Sequence, residues 1–231
     1  IITRNDIWPT HLYVAKNMGI QTVLINANLY QEHYYTSWFL RTFFYQVLNQ
    51  FDLILTGSER LKNNLLNLVQ SEKVMVTGDS RLDRVLARKS AKTDKLLPDS
   101  YMKSQSVILG SIIPSDYPIL FDGLKQYYLH GQTTLEEKDQ RLIIVPHEVN
   151  QLTLKDIENK LNLAGFECVY YTSKEKLQDS RVVIVDLVGI LADLYAYSDI
   201  AYVGAGFGAG VHSVFEPAVY GTVVSFGPNY N

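Results

Sequence analysis

A single cysteine, Cys168, stands among 231 residues. One cysteine excludes an internal disulfide and any cysteine-built metal cage. It fits a reducing setting without deciding it. Long hydrophobic runs are missing too. No stretch of about 18 consecutive apolar residues occurs, so nothing in the chain reads as a membrane-spanning helix. A basic excess is also lacking: 21 Lys and Arg face 24 Asp and Glu, for a net charge of −3. That balance argues against a nucleic-acid partner. Tryptophan is scarce, and Trp8 and Trp38 are read as packing residues. His11, His33 and His130 show no metal-ligand spacing, so no metal is expected.

What is present suits a globular protein, because 47% hydrophobic residues supply a core and 19% charged residues cover it. The chain begins IITRNDIWP, without an initiator methionine or signal peptide, and stops at FGPNYN just after an apolar run. It is expected to be a piece of a longer protein.

Short β-rich runs alternate with helical stretches. Strands are expected at Gln21–Ala27, Asp52–Gly57, Val74–Gly78, Val107–Ser111 and Leu142–Pro146. Others follow at Cys168–Thr172, Val182–Asp186, Ile200–Gly204 and Thr222–Phe226. Nearly continuous apolar runs of this length suit parallel strands covered on both faces. Helices are expected at Ser58–Val69, which opens on a serine cap, and at Asn150–Leu163. Another, Tyr34–Leu48, is unusually aromatic and suits either burial or an apolar partner. Strand–helix alternation implies right-handed crossovers and an α/β fold of doubly wound sheets. The stretch from Ser80 to Ser106 is polar, basic and without a strand. Two Rossmann-like lobes are therefore expected, 1–88 and 106–231, joined by a linker at 89–105. A cleft between such lobes would bring strand ends of each to a shared ligand.

The most suggestive stretch is GAGFGAGVHSVFEP, residues 204 to 217. Gly204, Gly206 and Ala209 fit a loose G-x-G-x-x-A dinucleotide fingerprint. That fingerprint belongs to the first βα turn of a domain, with an acid about 20 residues on. Here it follows a late strand, so the dinucleotide reading fails. The remaining physics is a side-chain-poor loop leading to a helix N-terminus, a setting that favours phosphate. Glycines that only permit turns are the plain alternative. Likewise Ser213-Val-Phe-Glu216 fits a capping box, in which Glu216 would bond the Ser213 N–H.

Four stretches resemble one family. AYVGAGFGAGVHSVFEPAVYGTVVSFGPNY is similar to the C-lobe signature of the 3-deoxy-D-manno-octulosonic acid (Kdo) transferases, whose glycine loop is followed by His-Asn-Pro-Leu-Glu-Pro. NDIWP, LINANL and VTGDSRLD resemble the family's Thr-Glu-Ile-Trp-Pro, Leu-Val-Asn-Ala-Arg-Leu and Val-Thr-Gly-Asn-Leu-Lys-Phe-Asp. Their order and spacing cover essentially the whole chain.

The resemblance implies a GT-B glycosyltransferase with two lobes, the N-terminal one incomplete and the C-terminal tail missing. It implies transfer of Kdo from CMP-Kdo to a lipid A precursor, with inversion and without a metal or other cofactor, at the cytoplasmic face of the bacterial inner membrane. Carried over by residue, Glu216 would hold the ribose hydroxyls of CMP. The loop with Gly206, Gly208 and Gly210, together with the Ser213 N–H, would meet its phosphate, with Ser111 as a second phosphate-side contact. His212 begins the matching motif. The family's Pro-Arg-His is Pro146-His147-Glu148 here, so His147 replaces an arginine and would balance phosphate only when protonated. Ser213 stands for an asparagine, and Asp6 for a glutamate. Asp6 is the catalytic-side candidate, with helix capping as its structural alternative. The general base that a sugar-hydroxyl attack needs is expected upstream of this chain. Arg4, Arg81 and Arg84 are candidate phosphate or carboxylate contacts, with surface solvation as the alternative. Two other readings stay open: another GT-B sugar-nucleotide enzyme, such as a UDP-GlcNAc transferase or 2-epimerase, and a degenerate binding homologue without turnover.

Overall fold

A computed structural model describes residues 1–4, 6–29, 37–91, 95–208 and 210–230. The chain forms two compact units, Ile1–Arg84 and Val85–Asn231. Each is built on a parallel sheet.

The first unit orders its strands β1-β2-β3-β4, at Ile2–Thr3, Val23–Ala27, Leu53–Thr56 and Val74–Val76. Three described helices accompany them: α1 at Pro9–Asn17, α2 at Trp38–Leu48 and α3 at Glu59–Leu65. Ser58 caps α3, its hydroxyl accepting the Leu61 N–H at 3.3 Å. This is the serine cap that the sequence suggests. Leu12, Leu24, Val47, Leu48, Phe51, Ile54, Leu65, Leu68 and Val74 close one core.

The second unit orders six strands β10-β9-β5-β6-β8-β7. They are β5 at Gln105–Ile112, β6 at Gln140–Pro146, β7 at Cys168–Tyr170, β8 at Val182–Ile184, β9 at Ile200–Val203 and β10 at Val223–Phe226. Successive residues point to opposite faces, and both faces are apolar, as buried parallel strands require. Leu109, Leu142, Ile144, Val182, Ile184 and Tyr202 pack on one side with Phe121, Leu124, Ile157 and Leu161. Ile108, Ile143, Val145, Val183 and Ala201 pack on the other with Leu97, Tyr101, Leu194 and Tyr195. The helices of this unit include α6 at Tyr117–Tyr127, α7 at Gln132–Glu137, α8 at Gln151–Leu163 and α9 at Leu191–Leu194. Burial of each such aliphatic side chain contributes about 1.5–3 kcal/mol.

Three details differ from expectation. A two-residue strand, β1, precedes the first expected one. The aromatic helix α2 begins at Trp38, the earlier part of the expected Tyr34–Leu48 lying outside the described residues. The stretch 89–105 belongs with the second unit: α4 at Ser80–Ser90 runs across the boundary, α5 spans Asp99–Lys103, and Leu97 and Tyr101 are buried. The polar face of an amphipathic helix looks like a linker when only composition is weighed.

Candidate functional site

The second sheet grows outward from β5, to β6 on one side and β9 on the other. Between β5 and β9 lies the topological switch point, outside whose carboxyl ends open α/β sheets bind ligands. The glycine-rich loop leaves β9 there. β5 ends in a bulge, its pairing with β6 shifting between Gly110 and Ile112, and Ser111 takes φ 56°. A non-glycine residue in this region is strained. Gly204 closes on the bulge. Its N–H donates to the Gly110 carbonyl at 2.8 Å, and a Cβ there would sit 2.2 Å from the Ser111 carbonyl oxygen. Gly206 similarly lies against the backbone of Gly227. These glycines are required for close backbone approach.

Asp116, fully buried just before α6, organises the loop. Its Oδ2 accepts the N–H groups of Ala205 at 2.8 Å and Ile113 at 3.0 Å. Its Oδ1 accepts the Tyr202 hydroxyl at 2.9 Å and the Phe207 N–H at 3.4 Å. Gly208 and Gly210 donate to the Ala205 carbonyl. The loop amides of Gly204, Ala205, Phe207, Gly208 and Gly210 are thus already bonded within the protein. This corrects the expectation of a loop whose N–H groups await a phosphate: a buried carboxylate already occupies two of them. Among the described residues, the Gly206 and Ser213 amides make no such bond.

The expected site residues Ser111, His147 and His212 do come together. Ser111 Oγ lies 2.9 Å from His147 Nδ1. The His147 and His212 rings stack, centroids 4.6 Å apart and planes 14° from parallel. His147 is exposed, whereas His212 is half-buried with Nε2 enclosed and without a partner. Burial, and then the neighbouring His147, hold the His212 imidazole below the ordinary histidine range, against the pull of Asp116.

Glu216 lies in the short helix α10, Phe215–Ala218. The helix starts with Val214 at the N-cap and no side-chain cap, so the Ser213–Glu216 capping box is not its register. Ser213 is exposed and Glu216 partly exposed. Near it stand Tyr195 and Tyr220, whose hydroxyls are held above the ordinary phenol range, chiefly by burial and in part by the Glu216 carboxylate. Arg88 also feels Glu216, although its main partner is Asp193. Arg88 Nε and Nη2 reach the two Asp193 carboxylate oxygens at 2.8 and 2.7 Å.

In the first unit, three of the four resembling stretches meet at strand carboxyl ends. Arg4 follows β1 with φ 55° and donates its N–H to the Ile25 carbonyl. Asn26, with φ 53°, donates from Nδ2 to Ser80 Oγ at 2.7 Å. Asp79 binds the Arg81 guanidinium, which holds its carboxyl below the usual range. Arg81 is therefore paired within its own segment and is not a bare surface cation. Asp6 is exposed, its Oδ1 accepting the Trp8 Nε1–H at 2.9 Å. The N-cap position of α1 is Trp8, without a side-chain cap, so Asp6 does not cap that helix. Trp8 and Trp38 are 60% and 83% exposed, against the packing role expected of them. An apolar cavity of about 250 Å³ opens beside Arg4, lined by Leu24, Phe43, Phe44 and Val47, with the buried Asn28 Oδ1 unpartnered. His33 and Ala209 lie outside the described residues. Among the described residues no three of His, Cys, Asp and Glu are grouped to hold a metal, and no helix is long and apolar enough to cross a membrane.

Sequence reasoning missed Asp116. In Pro-Ser-Asp-Tyr-Pro it reads as an ordinary helix cap, yet no side-chain cap bond forms and the carboxylate turns to the loop.

Residues 1–84 match a family model described as 3-deoxy-D-manno-octulosonic-acid transferase (kdotransferase). That span coincides with the first unit. A curated 3-deoxy-D-manno-octulosonic acid transferase from Chlamydia trachomatis serovar A is 24% identical over 99% of this chain and 52% of its own length. One from Aquifex aeolicus is 30% identical over 55% of this chain and 33% of its own. The chain therefore spans about half the length of the first of these relatives. The resemblance read in the sequence holds. Among solved structures, UDP-GlcNAc 2-epimerase from Methanocaldococcus jannaschii aligns with TM-score 0.58 and 16% identity over 93% of this chain and 56% of that one. At that identity the likeness shows the fold, the α/β architecture of GT-B proteins.

Proposed function

We propose that this chain, related over nearly its whole length to Kdo transferases, belongs to a glycosyltransferase that moves Kdo from CMP-Kdo to a lipid A precursor. One observation carries the reading. All four stretches behind the resemblance fold to carboxyl ends of parallel strands, three in the first unit and the glycine loop at the switch point of the second. Ligand sites of α/β sheets occur at such ends.

In this reading the second unit holds the nucleotide. Glu216 accepts the ribose hydroxyls, Ser111 and the Ser213 N–H meet the phosphate, and His147 stands where the family has arginine. Because their amides are bonded internally, Gly208 and Gly210 shape the phosphate site more than they bind it, while the Gly206 N–H is left to meet the phosphate. The strained turns at Arg4 and Asn26, with Asp6 and the apolar cavity, support reading the first unit as the acceptor side. Transfer proceeds with inversion and without a metal, at the inner membrane's cytoplasmic face, and the proton of the attacking hydroxyl goes to a carboxylate outside this chain.

Calorimetry with CMP and UMP tests the donor. Preference for CMP is expected, and equal affinity for the two would remove the Kdo assignment in favour of another sugar nucleotide. Glu216→Ala should weaken CMP binding roughly 10–100-fold, the loss of a hydrogen bond to a charged group worth about 1.5–3 kcal/mol. Unchanged affinity in a folded variant would leave Glu216 a structural residue.

A further inference from the structure

A phosphodiester bound in a protein needs donors and, as a rule, a cation. Beside the β5 bulge stands His147, and histidine is the side-chain type whose charge changes near physiological pH. Its surroundings are specific. Nδ1 is tied to Ser111 Oγ at 2.9 Å, one ring face lies on His212, and the residue is otherwise exposed.

Asp116, before α6, acts on His212 but spends both oxygens on the loop amides and Tyr202. Glu148, next to His147, is exposed, with Oε2 accepting Asn150 Nδ2 at 3.4 Å. Glu216 lies on α10, four residues beyond His212, and Arg88 of α4 is engaged by Asp193. His212 is enclosed at Nε2, where a charge would be poorly solvated. Two imidazolium rings stacked this closely would repel, so the pair accommodates no more than one added proton, and the exposed ring is the better place for it.

We propose that His147, stacked on His212 and hydrogen-bonded to Ser111, is the cation that receives the donor phosphate, and that it takes up one proton as the phosphate binds. The inference rests on the reading of this unit as a nucleotide-phosphate site. The proton comes from solvent and no other bond changes. With the ring neutral and Nδ1 unprotonated, the Ser111 hydroxyl donates inward to Nδ1. Once the ring is protonated, Nδ1–H donates to Ser111 Oγ and the hydroxyl hydrogen is released outward. The Nε2–H of His147 is a donor in both states, so the added proton supplies the positive charge and frees the Ser111 O–H as a second donor. A permanent arginine would bind phosphate at any physiological pH; this arrangement binds it more tightly as pH falls.

The imidazole resonances of the chain would be followed by NMR from pH 5.5 to 8.0, with His147 assigned from His147→Gln. Titrations in CMP, in sulfate (an oxyanion that does not itself titrate in this range) and in chloride of equal ionic strength would be compared. His147 should titrate about one pH unit higher with CMP or sulfate. Calorimetry of CMP in buffers of different ionisation enthalpy should show up to one more proton taken up by the wild type than by His147→Arg. The CMP phosphate's own titration is common to both proteins and cancels in that difference. His147→Arg should keep the affinity and lose most of its pH dependence, where the wild type weakens by up to tenfold per pH unit. CMP binding that leaves the His147 titration unmoved would overturn the proposal while sparing the nucleotide reading. A shift with sulfate and none with CMP would keep the oxyanion site and end the nucleotide reading. No shift with either, or His147→Arg behaving as the wild type does, would overturn the proposal outright.

Discussion

Asp116 is 0% exposed, and its carboxylate rests on three backbone N–H groups and the Tyr202 hydroxyl. Hydrogen bonds to a buried charge are each worth about 1.5–3 kcal/mol, and donors left unpaired cost nearly as much. Asp116→Asn keeps the shape but turns an NH2 group toward N–H donors. It should lose about 2–4 kcal/mol in urea unfolding and weaken nucleotide binding together with it. A stable variant with an intact site would show that the glycine loop holds itself. His212 yields a prediction of opposite origin. Its folded-state pKa is depressed, so between that value and the ordinary histidine value of about 6.5 the unfolded chain binds more protons. Stability should therefore decline as pH falls from 7 to 5.5. Thermal melts should show a shallower decline in His212→Gln, and equal slopes would remove the assignment. Neither role could be read from the sequence. A lone Asp before Tyr-Pro has the signature of a cap, and a ring's burial depends on strands far apart in the chain.

Elements were far more legible than contacts. All nine strands expected from apolar runs form, because Val- and Ile-rich segments covered on both faces leave little else for such sequences to do. β1 escaped notice because two residues carry no periodicity. The bulge at Ser111 escaped too, being a matter of register and not of composition. That bulge and the Gly204 contact give the element-scale prediction. Gly204→Ala would drive a Cβ to 2.2 Å from the Ser111 carbonyl oxygen. Gly131→Ala does the same against the Gly165 carbonyl at 2.3 Å, with φ 52°, at the turn before another helix. Both changes should cost about 1–3 kcal/mol or more by forcing backbone apart. Only Gly204→Ala should also lower CMP affinity, since only that glycine packs on the residue bonded to His147. Equal effects of the two on binding would mean that the switch-point geometry is general scaffold.

At the scale of the whole chain, two cores are closed independently, one around Leu24, Ile54 and Phe51, the other on both faces of the six-stranded sheet. The polar, strandless stretch after Ser80 suggested such a division, but the units divide inside α4, between Arg84 and Val85, ahead of the expected linker at 89–105. A ligand that binds only one unit stabilises that unit by mass action, about 2.7 kcal/mol at a hundredfold excess over its Kd. For a unit of this size that corresponds to a melting shift of roughly 5–10 °C. CMP should therefore raise the melting of Val85–Asn231 and slow hydrogen exchange in β5, β6 and β9, while the amides of β2 and β3 exchange as before. Protection confined to the first unit would invert the assignment of donor and acceptor sides. Equal protection in both would mean that the nucleotide is not held by the second unit alone, and Glu216 and His147 would then be only part of its site.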